Sequence, residues 1–283
     1  MFGKVATYAR RNPNLGVGIL LLAILLVFSI AGPFFVDVSN ADPLSVSPEK
    51  PPSLTYPFGT DSQGRDLLAV MVAGTPLTLR IGLFAGLIGL SVGTGLALVS
   101  AYYGGVVDTL IRGLVDISLT VPGLLVLIII AVFLKEGLSV NQMALIVASL
   151  SWRWPARTIR AQLLTMRERS WVQVARLSGM SGTKIMFLEL MPNLLPYLAA
   201  ALVGAVASAI LASIGLEALG LGPADSPTLG MTIYWVIFYA ALLHGYWWWW
   251  LPPIVIITIL FVGLFNLAGG LDEIANPRLR KSA

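Results

Sequence analysis

The feature that most constrains this chain is a series of charge-free runs, several as long as the ~20 apolar residues a helix needs to cross a bilayer. Runs without Asp, Glu, Lys or Arg lie at 12–36, 81–107, 117–134, 137–152, 190–216 and 226–271. Charged residues make up 11% of the 283, whereas a soluble domain carries about 25%. A chain so patterned is an all-α, polytopic membrane protein.

Charge placement sets the expected topology. The last run is too long for one helix; Leu251–Leu271 is a clear span, and Leu229–Trp250 is an external re-entrant or surface helix within an external segment of about 217–250. Six spans with both termini inside place 14 of the 18 Lys and Arg residues on inside segments 1–11, 104–116, 153–189 and 272–283. Only Lys50, Arg65, Arg80 and Lys135 then lie outside, as the positive-inside rule requires. A seventh span would export Arg278, Arg280 and Lys281. The expected units are a cytoplasmic segment and first helix at 1–36, an external irregular segment at 37–79, a five-helix core at 80–275, and a cytoplasmic tail at 276–283. The run from Asn12 to Val36 outlasts the apolar part of a signal peptide and lacks an A-x-A site, so a retained first span is expected. The same placement explains the net charge of +4 through the membrane rather than nucleic acid. The chain has no cysteine, hence no disulfide or thiol chemistry.

Between the fourth and fifth spans lies an island of charge and glycine, about 153–192. Trp171, Val174, Ala175 and Ser178 recur at i, i+3, i+4, i+7 and form one small face of a helix, with Gln173 and Arg176 pointing elsewhere. Gly179 can end that helix, and Ser181 can cap a second one leading to Pro192. The stretch resembles the cytoplasmic loop of ABC-transporter permeases with the pattern E-A-A-x3-G-x9-I-x-L-P. Ala175, Gly179 and Pro192 match outright. Gln173 stands for the Glu, Val174 for the first Ala, Glu189 for the Ile and Met191 for the Leu.

Further blocks are similar to one permease branch, the C-type subunit of dipeptide, oligopeptide and nickel importers. Tyr56-Pro-Phe58-Gly59-Thr60-Asp61-Ser-Gln-Gly64-Arg65-Asp66 resembles H-P-F-G-T-D-x-x-G-R-D, with Tyr56 for the His; by residue type alone it is a set of Asp- and Gly-based turns. Ala101-Tyr-Tyr-Gly-Gly105, Asp108, Arg112, Asp116 and Pro122 resemble A-G-Y-x-G-G-x-x-D…R-x-x-D…P. Arg112 lies four residues from both acids, which gives either a locally ion-paired helix or the turn that touches an ATPase flank. Leu219-Gly-Leu-Gly222 through Gly230, and Phe265-Asn-Leu-Ala-Gly-Gly270 through Arg278, resemble two later blocks, each one residue short. Gly82, Gly86, Gly89 and Gly93 form a smooth ridge for close helix contact. Trp247–Trp250 is an interfacial aromatic belt, with stacking on a substrate as the alternative.

Several chemistries are missing from the sequence. There is no G-x-x-x-x-G-K-[ST] phosphate loop, the charges lie at span ends rather than within spans as in a secondary transporter, and Ser213 with His244 is the only pair available to an intramembrane protease. A passive channel or assembly subunit remains the rival from another class. The resemblance implies a type I ABC importer permease fold of six helices in a prokaryotic inner membrane, with a cytoplasmic coupling helix whose face of Trp171, Val174, Ala175 and Ser178 is expected to enter a groove on the ATPase. It implies a homologous second permease, two ATPase subunits that bind ATP and Mg, an external solute-binding protein, and no cofactor on this chain. Peptides are the branch's commonest cargo; nickel chelates and oligosaccharides are alternatives.

Overall fold

The computed structural model describes residues 12–134 and 137–275. The basic segment 1–11, Lys135 and the tail expected at 276–283 lie outside the described residues. Their regular elements are all helices, and no β-strand forms among them; a single bridge pairs Thr60 with Asp66.

Ten helices of eight or more residues follow one another among the described residues: α1 (Pro13–Ala31), α2 (Leu67–Tyr103), α3 (Gly105–Thr120), α4 (Gly123–Phe133), α5 (Val140–Ser151), α6 (Arg153–Arg167), α7 (Ser170–Leu177), α8 (Met191–Glu217), α9 (Leu229–Phe238) and α10 (Trp247–Ala275). Among the described residues, four helical stretches are long and apolar enough to cross a membrane: Pro13–Phe34, Leu67–Tyr103, Gly182–Glu217 and Trp247–Glu273. The pair α3–α4, bent by 83° at Val121–Pro122, makes a fifth if taken as one span. Run 137–152 yields only the 12-residue α5, about 18 Å at 1.5 Å per residue, short of the ~30 Å hydrocarbon core. Ser139 and Gln142 start it with a capping box. Beyond Trp152 the charged, amphipathic α6 takes over.

The bundle is arranged around α2. At 37 residues it is about 55 Å long, so it outruns the charge-free run at 81–107. The irregular segment therefore ends at Asp66 instead of residue 79, because the Asp66 side chain accepts the Leu68 N–H at 2.9 Å and caps the helix there. The ridge glycines serve two neighbours. A Cβ at Gly82 or Gly86 would strike Ile210 or Val206 of α8, and one at Gly89 or Gly93 would strike Ser151 or Pro155 at the α5–α6 junction. Across the bundle α1 packs on α10: a Cβ at Gly18 would lie 2.5 Å from the Leu267 nitrogen. Bare backbones give close van der Waals approach where lipid supplies no hydrophobic drive.

Candidate functional site

At the Tyr103 end of α2, the chain sets a short amphipathic helix against the bundle. Val172 and Ala175 of α7 are buried with Leu98, Ile159, Leu163, Ile185 and Leu194. Trp171, Val174, Arg176, Leu177 and Ser178 face outward, Leu177 being 89% exposed, and Gln173 is half-buried. This corrects the expected face: Ala175 turns inward and Leu177 joins the outer side. Val172 and Ala175 are three residues apart, on one side of the helix, and the small Ala175 lets the backbone seat closely on α6 and the segment 185–190.

The stop after α7 follows from Gly179. Its φ is +78°, a conformation that costs a residue with a Cβ. It lets the Met180 N–H reach the Ala175 carbonyl at 3.1 Å and the Gly179 N–H reach Arg176 at 3.0 Å. That pair of bonds is the Schellman motif, which satisfies the helix's last carbonyls. Ser181 stands at the next N-cap position without a side-chain cap bond. From Ile185 to Leu190 the helix widens to π geometry, directly before Pro192, whose ring crowds the carbonyl four residues back. The expected plan of helix, glycine break and second helix into an apolar run is what forms.

Two ion pairs brace this end. Arg160 of α6 donates from Nε and Nη2 to the two carboxylate oxygens of Asp108 in α3, each at 2.5 Å, and Ser100 of α2 also donates to Asp108. Arg157 lies 3.8 Å from Asp116 in an exposed pair. The acids thus pair across helices with α6 rather than locally with Arg112, because α3 lies beside α6 and brings the arginines nearer.

At the opposite end of α2, each letter of the 58–66 motif has a local task. Asp61 accepts the Gln63 and Arg65 N–H groups at 2.9 Å and pairs with the buried Arg65 Nε at 2.7 Å. Thr60 Oγ1 donates to the Ser47 carbonyl at 2.7 Å and accepts the Lys50 N–H at 2.8 Å. Gly59 and Gly64 both have φ near +70°, and a Cβ at either would strike the Lys50 or Val46 carbonyl. Phe58 packs into two apolar clusters. Burial raises the Asp66 carboxyl pKa, with the Leu68 and Ala69 N–H groups acting against it. The motif folds a set of turns fastened to residues 40–50 and starts α2, as the turn chemistry of its residues suggests.

The tryptophan run divides. Trp249 is fully buried with Leu67, Val236 and Ala241, Trp248 donates to the Thr60 carbonyl at 3.3 Å, and Trp247 is half exposed. The four open α10 instead of closing one 229–250 helix, and α9 ends at Phe238. Ser213 and His244 are not brought together: Ser213 donates to Glu217, and His244 stacks on Tyr246.

Two features escaped the sequence. Glu217 is fully buried at the end of α8 and accepts from Ser213 and Thr228 at 2.5 Å and from the Met231 N–H at 3.1 Å. Only its spacing of four from Ser213 hinted at a partner. A groove of about 680 Å³ also runs between α4, the α5–α6 junction and α8. Ala201, Ala205, Ser208, Ala212 and Gly215 supply its α8 wall, with Arg153 and Tyr197 as polar lining. Arg153 donates to the Ser118 carbonyl at 2.7 Å and the Leu150 carbonyl at 2.9 Å, pinning the α3–α4 bend. Among the described residues, no group of three or more His, Cys, Asp and Glu is placed to hold a metal.

Residues 89–281 match the family model described as binding-protein-dependent transport system inner membrane component. The chain is 29% identical to the dipeptide transport system permease protein DppC of Haemophilus influenzae, over 97% of this chain and 94% of that protein. It is 29% identical to the oligopeptide transport system permease protein OppC of Bacillus subtilis, covering 96% and 88%. It is also 29% identical to the OppC of Mycobacterium bovis, covering 95% and 92%. With a family match over most of its length and apolar helices to span a bilayer several times, this chain is a multi-pass membrane protein that belongs to the inner membrane components of binding-protein-dependent ABC transport systems.

Proposed function

We propose that this chain is the transmembrane permease subunit of an ATP-driven peptide importer. The observation that carries the proposal is α7: a short helix that buries Val172 and Ala175 in its own bundle and presents apolar Trp171, Val174 and Leu177 to whatever lies beyond. Apolar side chains exposed at the charged end of a membrane protein mark an interaction site. In this reading they enter a groove on a partner ATPase, Gln173, Arg176 and Ser178 border the contact, Gly179 fixes its exit, and Pro192 begins the return into the bilayer. The partner binds ATP and Mg, and this chain binds no cofactor.

A homologous second permease completes the path, and the 680 Å³ groove along α8 is this chain's wall of it. The relatives' names point to dipeptides or oligopeptides as cargo; oligosaccharides and nickel chelates are the alternatives. An external solute-binding protein delivers the cargo to the end carrying Phe58–Asp66. Counting α3–α4 as one span and the run 137–152, which α5 fills, as another gives six, with both termini cytoplasmic in a prokaryotic inner membrane. Closure of the ATPase dimer moves α7 and switches the path between inside-open and outside-open. Such coupling requires the ATPases to bind the two states with different affinity.

The test is reconstitution in vesicles with the second permease, two ATPases and the binding protein. Labelled di- and oligopeptides should accumulate only with ATP and the binding protein present. Peptide entry at the same rate without ATP would identify a passive channel instead.

A further inference from the structure

A cavity of about 100 Å³ lies between the last turns of α2 and α6, the helix α7 and the segment 182–190. Its walls include Leu98, Leu163 and Met186, and two arginines border it, Arg167 from α6 and Arg176 from α7. Arg167 Nη1 donates to the Ala101 carbonyl at 2.6 Å, and its other N–H groups meet no acceptor among the described residues. Arg176 makes no side-chain hydrogen bond, and neither arginine forms an ion pair among the described residues. Two cations facing one small cavity without a counter-charge repel each other, and an anion between them would relieve the repulsion.

The surroundings say what kind of anion. Tyr102 borders the cavity and Tyr103 follows it at the end of α2, 39% and 66% exposed; tyrosines at a span's end sit at the headgroup level. Phe187 and Leu188, the two residues that follow Met186 of the cavity wall, are largely exposed and offer an apolar track. A free inorganic anion has no use for such a track, whereas an amphiphile does. We propose that Arg167 and Arg176 hold the phosphate head of an anionic phospholipid at this cavity, with the acyl chains lying along 187–188. The site would tie the seat of α7 to membrane charge. The proposal rests on placing this end of α2 at the inner face, but not on α7 meeting an ATPase.

The test uses the full-length chain, purified in mild detergent with its second permease and offered equal amounts of phosphatidylglycerol and phosphatidylcholine before native mass spectrometry. Two arginines beside one anionic head should favour phosphatidylglycerol by roughly tenfold or more. The Arg167→Ala, Arg176→Ala double variant should lose that preference, and the corresponding double Lys variant should keep most of it, which separates lost charge from lost fold. Millimolar inorganic phosphate should not displace the lipid. Displacement would mean a free-anion site and overturn the lipid assignment, as would a wild-type protein without preference or a double Ala variant that retains it. Release of the lipid on adding the ATPase subunits would assign both arginines to the protein interface, and that too would overturn the proposal. Because the first readouts need neither ATPase nor transport, they stand whether or not the coupling role of α7 holds.

Discussion

Glu217, the last residue of α8, and Thr228, the residue before α9, meet across the turn between the two helices: Thr228 Oγ1 donates to Glu217 Oε2 at 2.5 Å. The same carboxylate takes the Met231 N–H in the first turn of α9, where a helix's leading amides favour negative charge. Thr78 of α2 accepts the neighbouring Leu229 N–H at 3.0 Å. The short helix is therefore fastened at its start to two long ones. In Glu217→Ala, the Ser213 and Thr228 hydroxyls lose their buried acceptor, at about 1–3 kcal/mol for each group left unpaired. Thermal unfolding in detergent should show a Tm several degrees lower, with Glu217→Gln milder. An unchanged Tm in the alanine variant would mean the carboxylate does not hold α9.

Gly179 offers a test free of steric confusion, since a Cβ there would meet nothing within 4 Å while its φ is +78°. Any effect of substitution is then a backbone effect, about 1–2 kcal/mol for a residue forced into the left-handed region. Gly179→Val should loosen the exit of α7 and uncouple ATP hydrolysis from peptide uptake in the reconstituted transporter. Gly179→Asn should retain most coupling, because Asn tolerates that conformation. Equal behaviour of the two variants would remove the backbone from the explanation.

The inward turn of Ala175 separates two kinds of damage. Ala175→Trp overfills the cluster around Leu98, Ile159 and Leu163, and overpacking typically costs about 1–3 kcal/mol. Its first symptom should be lower thermal stability of the permease itself. Leu177→Asp, on the exposed side, should leave the Tm unchanged and shed the ATPase subunits on purification. Should Leu177→Asp retain the ATPases while Ala175→Trp sheds them at full stability, the two faces have been assigned the wrong way round.

The Asp108–Arg160 pair should show coupling that Arg112 does not. Both partners are only 20% exposed, and a double-mutant cycle on Asp108→Asn and Arg160→Gln should return about 0.5–3 kcal/mol. Arg112→Ala, on an exposed side chain in the same helix, should stay within about 0.5 kcal/mol of wild type. A zero coupling energy, or an Arg112 effect as large as that of Arg160, would restore the local pairing within α3.

What could be read from the sequence was whatever depends on residues near in the chain. The charge-free runs marked the long helices, Gly179 marked the end of α7, and the glycines at 82, 86, 89 and 93 marked the close-packed side of α2. The start of α2 was misjudged because the charge-free run begins only after Arg80, while the deciding feature was one carboxylate, Asp66, on one amide. The face of α7 was misjudged because Val172 and Ala175 are buried in a cluster with Leu98 and Ala101 of α2, about seventy residues away, and local periodicity cannot choose between two part-apolar sides. Glu217 was hidden for the same reason: its acceptor role is completed by Thr228 and Met231, beyond a turn of irregular backbone. The groove along α8 depends on how α4 and the α5–α6 junction stand off from it, which no short window contains.

The packing of α1 on α10 has a consequence for synthesis. Asn12 donates to the Gly270 carbonyl, 258 residues further along the chain. At a translation rate of about 5–20 residues per second, the first helix waits roughly 13–50 seconds in the bilayer before its partner exists. It must therefore be a helix that lipid alone can keep, and Pro13–Phe34 is the most apolar of the four clear spans. Ribosomes stalled before Gly270 should accordingly leave α1 inserted but reachable by lipid-borne crosslinkers along Leu15, Gly18 and Leu22, a surface that only completed chains conceal.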